Sequence, residues 1–153
     1  MPFHLNYLTT YKIGETKEEL LPLAAGISTV DPSNEESTEE YSYYDGAGGT
    51  ETETTGLTSS YAFSGNRKYA DDPAQELIRN KLFTLGQGRE VYFQVTEPDG
   101  RVIEGPATLQ DITPHGGDAN ARATFEFTVT FKGLPTDTKP SDTGAQTVQT
   151  TEE

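Results

Sequence analysis

One stretch of this chain carries helix signals at both ends, and the sequence on either side of it reads as strand. Asp72 stands where a carboxylate can accept a bond from an orphan N–H of a first turn. Pro73 follows at the first helical position, where its missing N–H costs nothing. Gln75, three residues after Asp72, completes a capping-box pattern. Ala74, Leu77, Ile78, Leu82 and Leu85 recur at helical spacing, while Gln75, Glu76, Arg79 and Asn80 face elsewhere. Gly86 suits the left-handed conformation that ends helices. The pattern predicts one amphipathic helix of about three turns, braced across a face or end of a sheet. Asp72, Pro73, Gln75, Leu77, Ile78 and Leu82 are its structural residues.

The flanking strands are signalled by alternation. In residues 122–132, Ala123, Phe125, Phe127, Val129 and Phe131 share one face, and Arg122, Thr124, Glu126, Thr128, Thr130 and Lys132 share the other. That is the pattern of a half-buried antiparallel strand. Leu57, Ser59, Tyr61 and Phe63 alternate likewise, as do Val91, Phe93 and Val95. Glu97-Pro98-Asp99-Gly100 has the Pro and Gly positions of a tight turn, so residues 101–112 return as its partner strand, with a bulge or bend expected at Gly105-Pro106. Six or so strands and one helix predict a mainly β domain, an antiparallel sandwich or open barrel with one flanking helix.

Residues 31–55 contain acids but neither Lys nor Arg. A free segment of that composition buries too little surface to offset its ordering entropy. Residues 33–56 are therefore read as an acidic loop or long hairpin projecting from the core. Its two forms are a disordered loop and a hairpin that orders on contact with a partner, the latter favoured by Tyr41, Tyr43 and Tyr44. Residues 1–23 read as an N-terminal arm, residues 24–133 as the domain, and residues 134–153, rich in Thr, Pro, Asp and Gln, as a flexible tail.

The chain of 153 residues has a formal net charge of -14 and no cysteine. Disulfide and thiol chemistry are excluded. Affinity for a nucleic acid backbone comes from Lys and Arg, so the charge opposes such binding; an acidic surface instead repels DNA. No apolar run approaches the roughly 18 residues of a membrane span, and residues 1–6 lack the pattern of a signal peptide. His4 and His115 are the only histidines, and neither has a nucleophile or partner at a useful spacing. Glu35, Glu36, Glu39 and Glu40 read as a solvated charge run rather than a metal site. Gly46-Ala47-Gly48-Gly49 lacks the Lys and following helix of a phosphate loop. The reading is not an enzyme, with no cofactor and no metal.

Tyr44-Asp45-Gly46 with its Gly/Thr-rich turn, Tyr61-Ala62-Phe63-Ser64-Gly65-Asn66-Arg67, Asp72-Pro73-Ala74-Gln75 opening the helix, and the hairpin of residues 91–103 carry a family likeness. Over residues 24–133 the chain resembles the major tail proteins (tail-tube proteins) of long-tailed bacteriophages. The resemblance implies a β-sandwich subunit with a flanking helix. It also implies self-assembly into hexameric rings, stacked into a tube that conducts DNA into the host. The implied partners are other copies, a tape-measure protein, and tail terminator and distal tail proteins; DNA passes without specific binding. The implied location is the virion tail, after synthesis in the host cytoplasm. On this reading Glu39, Glu40, Tyr41, Tyr43 and Tyr44 make inter-ring contacts, and Glu51, Glu53, Glu90 and Glu126 face the lumen. The alternatives are a tube protein of a related injection or secretion system, a monomeric or oligomeric ligand-binding β-sandwich module, and a hydrolase, for which the chain offers no nucleophile–base pair.

Overall fold

Phe125, Phe127, Val129 and Phe131 are all buried, and the strand they build stands near the middle of one antiparallel sheet. The computed structural model describes residues 3–139. In chain order these give β1 (Thr10–Gly14), β2 (Leu21–Pro22), β3 (Ile27–Ser42), β4 (Thr50–Asn66), α1 (Pro73–Asn80), β5 (Glu90–Thr96), β6 (Val102–Thr113), β7 (Thr124–Phe131) and β8 (Thr136–Thr138). The sheet order is β2-β1-β5-β6-β7-β4-β3, with β8 added to β6.

The sheet rolls on itself. Phe93 on β5 and Phe63 on β4 have ring centroids 5.8 Å apart at right angles, although β6 and β7 lie between their strands. In a flat sheet those strands would stand about 14 Å apart. Tyr61 and Phe131 complete the ring cluster around Phe93, at 5.4 and 5.6 Å. The mainly β architecture with one helix is thus present as a single rolled sheet, the open-barrel form of the expected fold.

Strand register sorts the molecule into two ends. Ser60, Thr130, Thr108 and Glu90 align across β4, β7, β6 and β5. On one side of that row lie Asn66, Thr124 and Thr113, together with α1 and residues 81–89. On the other side lie the Glu97–Gly100 turn and the far reach of the β3–β4 hairpin. We call these the helix end and the hairpin end.

Four sequence expectations are corrected. First, residues 10–23 are not an arm: β1 pairs with β5 from Thr10↔Thr96 to Gly14↔Tyr92, and Ile13 and Leu23 are core residues. Second, Gly105-Pro106 makes no bulge, because its pairing with β5 is continuous. A Cβ at Gly105 would make only ordinary contacts, 3.5 Å from Pro135 and 3.6 Å from the Phe131 ring. The register shift falls between Gln110 and Thr113, where Asp111 takes a left-handed φ of 52°. Third, residues 136–138 pair with β6, held by an Arg101–Asp137 ion pair of 2.8 Å; the rest of the expected tail, from residue 140, lies outside the described residues.

Fourth, α1 ends at Asn80, about one turn early. Downstream carbonyls are claimed by side chains: Thr84 Oγ1 donates to Lys81 O at 2.7 Å, and Arg89 donates to Leu82 O at 2.6 Å and Thr84 O at 2.9 Å. Leu82 still packs on the core, as does Leu77, but Phe83 and Leu85 turn outward, each 84% exposed. Leu85 is therefore not part of the apolar stripe.

Candidate assembly surface

β3 and β4 are unusually long for this sheet, and only part of their length is covered. β7 pairs with β4 from Ser60 to Asn66, so residues 33–59 continue as a two-stranded ribbon. The expected acidic loop is this ribbon, regular from Asn34↔Ser59 to Ser42↔Thr50 and interrupted by one register shift between Ser37 and Thr38. By strand rise it reaches about 30 Å past the last shared row. The Thr-rich run 50–55 explains its regularity, because β-branched side chains fit a pleated surface. Ser42 and Thr50 hydroxyls meet at 3.3 Å across the strands. A short 3-10 turn, Tyr44–Gly46, closes the ribbon, with Ala47 left-handed after it.

The inter-ring candidates all lie on this ribbon and are exposed. Tyr41 and Tyr43 stack with centroids 6.4 Å apart, and the Tyr44 side chain stands free in solvent. Glu39 pairs directly with Glu53, and Tyr41 with Glu51. Like charges facing each other in a ladder are destabilising, so this rung stores repulsion rather than stability.

The lumen candidates divide. Glu51 and Glu53 are on the ribbon. Glu126 is on β7, exposed on the outer face as alternation requires, beside a hollow of about 240 Å3 lined also by Asp31, Ser64 and Asp111. Glu90 differs: its carboxylate accepts from Lys132 Nζ at 2.6 Å, so it presents a neutralised pair. On the same outer face Glu104 accepts from the Tyr92 hydroxyl at 3.2 Å and Gln94 at 3.3 Å. Burial pushes the Tyr92 phenol up, and the Glu104 charge adds to it.

At the helix end the side-chain roles differ from the sequence reading. Asp72 makes no capping bond, and its Oδ2 is buried without a partner. Gln75 does not box the cap and does not face solvent; it is fully buried. Its Oε1 accepts from Lys68 N–H at 2.7 Å and Arg67 Nη1 at 3.3 Å. Its Nε2 donates to Ala25 O at 3.1 Å and Asn66 O at 3.2 Å. Gln75 thus clasps the start of β3 to the end of β4. Close backbone approach there depends on glycine at position 65, since a Cβ on it would strike the Gly26 carbonyl. Arg67 lies between the Tyr69 and Phe125 rings, 4.7 and 5.6 Å from their centroids, and bonds Glu76 at 3.3 Å.

Lys81 is a second buried polar group at this end. Its Nζ donates to Glu15 Oε1 and to Gly88 O, both at 3.1 Å. Spacing held a clue to Gln75, which stands i, i+3, i+7 with Ile78 and Leu82. Nothing local marks Lys81, since Glu15 is 66 residues away.

His4 and His115 are exposed. Among the described residues no group of three or more His, Asp or Glu could hold a metal ion.

No family model matches the sequence, and no curated protein matches it. Solved structures do. A chain in the virion of a native gene transfer agent particle superposes with a TM-score of 0.71 at 22% identity, covering 90% of this chain and 100% of that one. A chain in the tail of an empty gene transfer agent particle, refined helically with C6 symmetry, gives 0.70 at 22% identity over the same shares. The chain has a virion-tail fold.

Proposed function

We infer that this chain is a structural tail protein of a phage-like particle, the subunit of its tail tube. Copies close into hexameric rings and the rings stack into a hollow conduit for DNA. The observation that carries the reading is the match to a tail chain over that chain's full length, joined to a ribbon that projects from the sheet with no further strand paired to it among the described residues. Surface of this kind is surplus in a monomer. Head-to-tail contacts between copies close into rings when the rotation permits.

In this reading the ribbon residues Glu39, Glu40, Tyr41, Tyr43 and Tyr44 contact the adjacent ring. Glu51, Glu53 and Glu126 face the lumen, where negative side chains let DNA slide without being held. Glu90, neutralised by Lys132, contributes less. A tape-measure protein fills the growing tube, and terminator and distal tail proteins meet its ends. The role is structural rather than enzymatic, and its place is the virion tail.

Negative-stain electron microscopy of the purified chain tests this. Rings or tubes with sixfold symmetry are expected at high protein concentration. A chain that stays monomeric under every salt and concentration condition tried would defeat the reading.

A further inference from the structure

Two groups of exposed aromatic and aliphatic side chains sit at opposite ends of the same pair of strands. At the hairpin end are Tyr41, Tyr43 and Tyr44; at the helix end are Tyr69, Phe83 and Leu85. The placement of the second group is fixed by Gln75, which binds Asn66 and Ala25 at the root of the hairpin, and by Lys81, which binds Glu15 just past β1. Strands of 16 and 17 residues separate the groups by about 50 Å.

Lys68 and Arg79 at the helix end offer cations to the acidic ribbon, with Asp71 the exposed acid beside them. The ribbon carries Glu39, Glu40, Glu51 and Glu53 and no cation. At the helix end Lys68 and Arg79 form no ion pair among the described residues, while the neighbouring Glu76 is occupied by Arg67. Arg79 lies 5.8 Å from the Phe83 ring centroid, so cation and aromatic form one patch. That patch is rigidly presented: Arg89 and Lys81 hold the backbone of residues 82–88 through three carbonyls. Large apolar groups on a fixed loop in open solvent mark an interaction site.

We propose that the ribbon tip of one copy docks on the helix-end patch of a second copy, with its phenol rings on Tyr69 and Phe83 and its carboxylates on Lys68 and Arg79. The proposal rests on the tail-tube reading and specifies its axial contact. The contact is heterologous: one end of the molecule binds the other, so each addition regenerates the same acceptor. It also relieves the Glu39–Glu53 repulsion, which makes assembly sensitive to ionic strength over the range where surface charges are screened.

The chain has no cysteine, so Tyr44→Cys with Phe83→Cys gives a clean pair. Oxidation of assembled protein should yield a ladder of disulfide-linked multimers, and neither single variant should be cross-linked through this contact. Tubes that form without the ladder overturn the docking while leaving the tail-tube reading intact. A wild-type chain that forms neither rings nor tubes overturns both. A second arm needs no cysteine. Lys68→Glu with Arg79→Glu, folded by circular dichroism, should lower tube yield at least tenfold, and adding Glu39→Lys with Glu40→Lys should restore most of it. An unchanged yield in the double variant, or no restoration in the quadruple one, also overturns the docking.

Discussion

The rings of Tyr11 and Phe63 meet edge to face with centroids 5.1 Å apart, yet β5, β6 and β7 separate their strands in the sheet. Strand β1 and strand β4 therefore face each other across the interior. The barrel is held shut by aromatic contact at that seam, with Phe93 stacked on Tyr11 at 6.3 Å.

Phe93 touches rings from three other strands, so Phe93→Ala should cost about 3–5 kcal/mol. Phe83→Ala removes an exposed ring and should change stability by no more than about 0.5 kcal/mol. Urea melts of the two variants check this, and equal losses would show that the seam is not the core.

Gln75→Ala strands the Ala25 and Asn66 carbonyls and the Lys68 amide in a buried site, and should cost about 1–3 kcal/mol. Asp72→Ala should be nearly neutral, because no capping bond is lost and an unpartnered buried oxygen is removed. A loss of about 1 kcal/mol at Asp72, the usual value of a cap, would contradict the geometry.

Burial pushes the Tyr11 and Tyr61 phenols above their ordinary 10.0, and Glu97 adds to both. An acid whose folded pKa is raised favours folding while neutral. This contribution is complete below pH 10 and is lost as pH rises from there toward the folded values. Stability should fall above pH 10, and Tyr11→Phe with Tyr61→Phe should flatten the fall. Denaturant midpoints between neutral pH and pH 11 measure it.

Removing residues 35–58 and joining the register partners Asn34 and Ser59 through an Asn-Gly turn should leave a folded subunit. The deleted residues add almost nothing to the buried core. Tube formation should disappear. Long tubes from this variant would mean that the ribbon is not the contact between rings.

Glu126→Lys should leave rings and tubes intact, since the side chain is exposed and makes no ion pair among the described residues. Repeated by symmetry, it would place a ring of cations where DNA passes, and each phosphate contact slows transit. DNA entry after adsorption of particles carrying the variant should be retarded. Normal entry would remove Glu126 from the channel wall.

Much of the sheet was legible because its signals are local. Alternation at Phe125, Phe127, Val129 and Phe131 placed β7, and Pro98 with Gly100 placed the β5–β6 turn. The ribbon was only half legible: acidity argued against order, and the compensating β-propensity of the threonines acts only once register is set by the covered part of β4. The position of β1 was hidden, because Thr10–Gly14 is too short for a periodic signal and earns its place through contacts with Phe63 and Phe93. The helix-end patch was hidden for a related reason. Leu85 continues the apolar stripe in sequence, and only Arg89, pulling on the Leu82 and Thr84 carbonyls, turns it outward.

The outer edge of β3 has a bearing on how the subunit survives at high concentration. Unpaired strand edges invite identical molecules to add in register and grow as fibrils. Here Pro32 interrupts the row of donors, and Glu35, Glu36, Glu39 and Glu40 would each be laid against its own copy. Side-by-side accretion is thereby opposed along that edge, which would keep the subunits of a tail tube dispersed until contacts of a different geometry drew them into order.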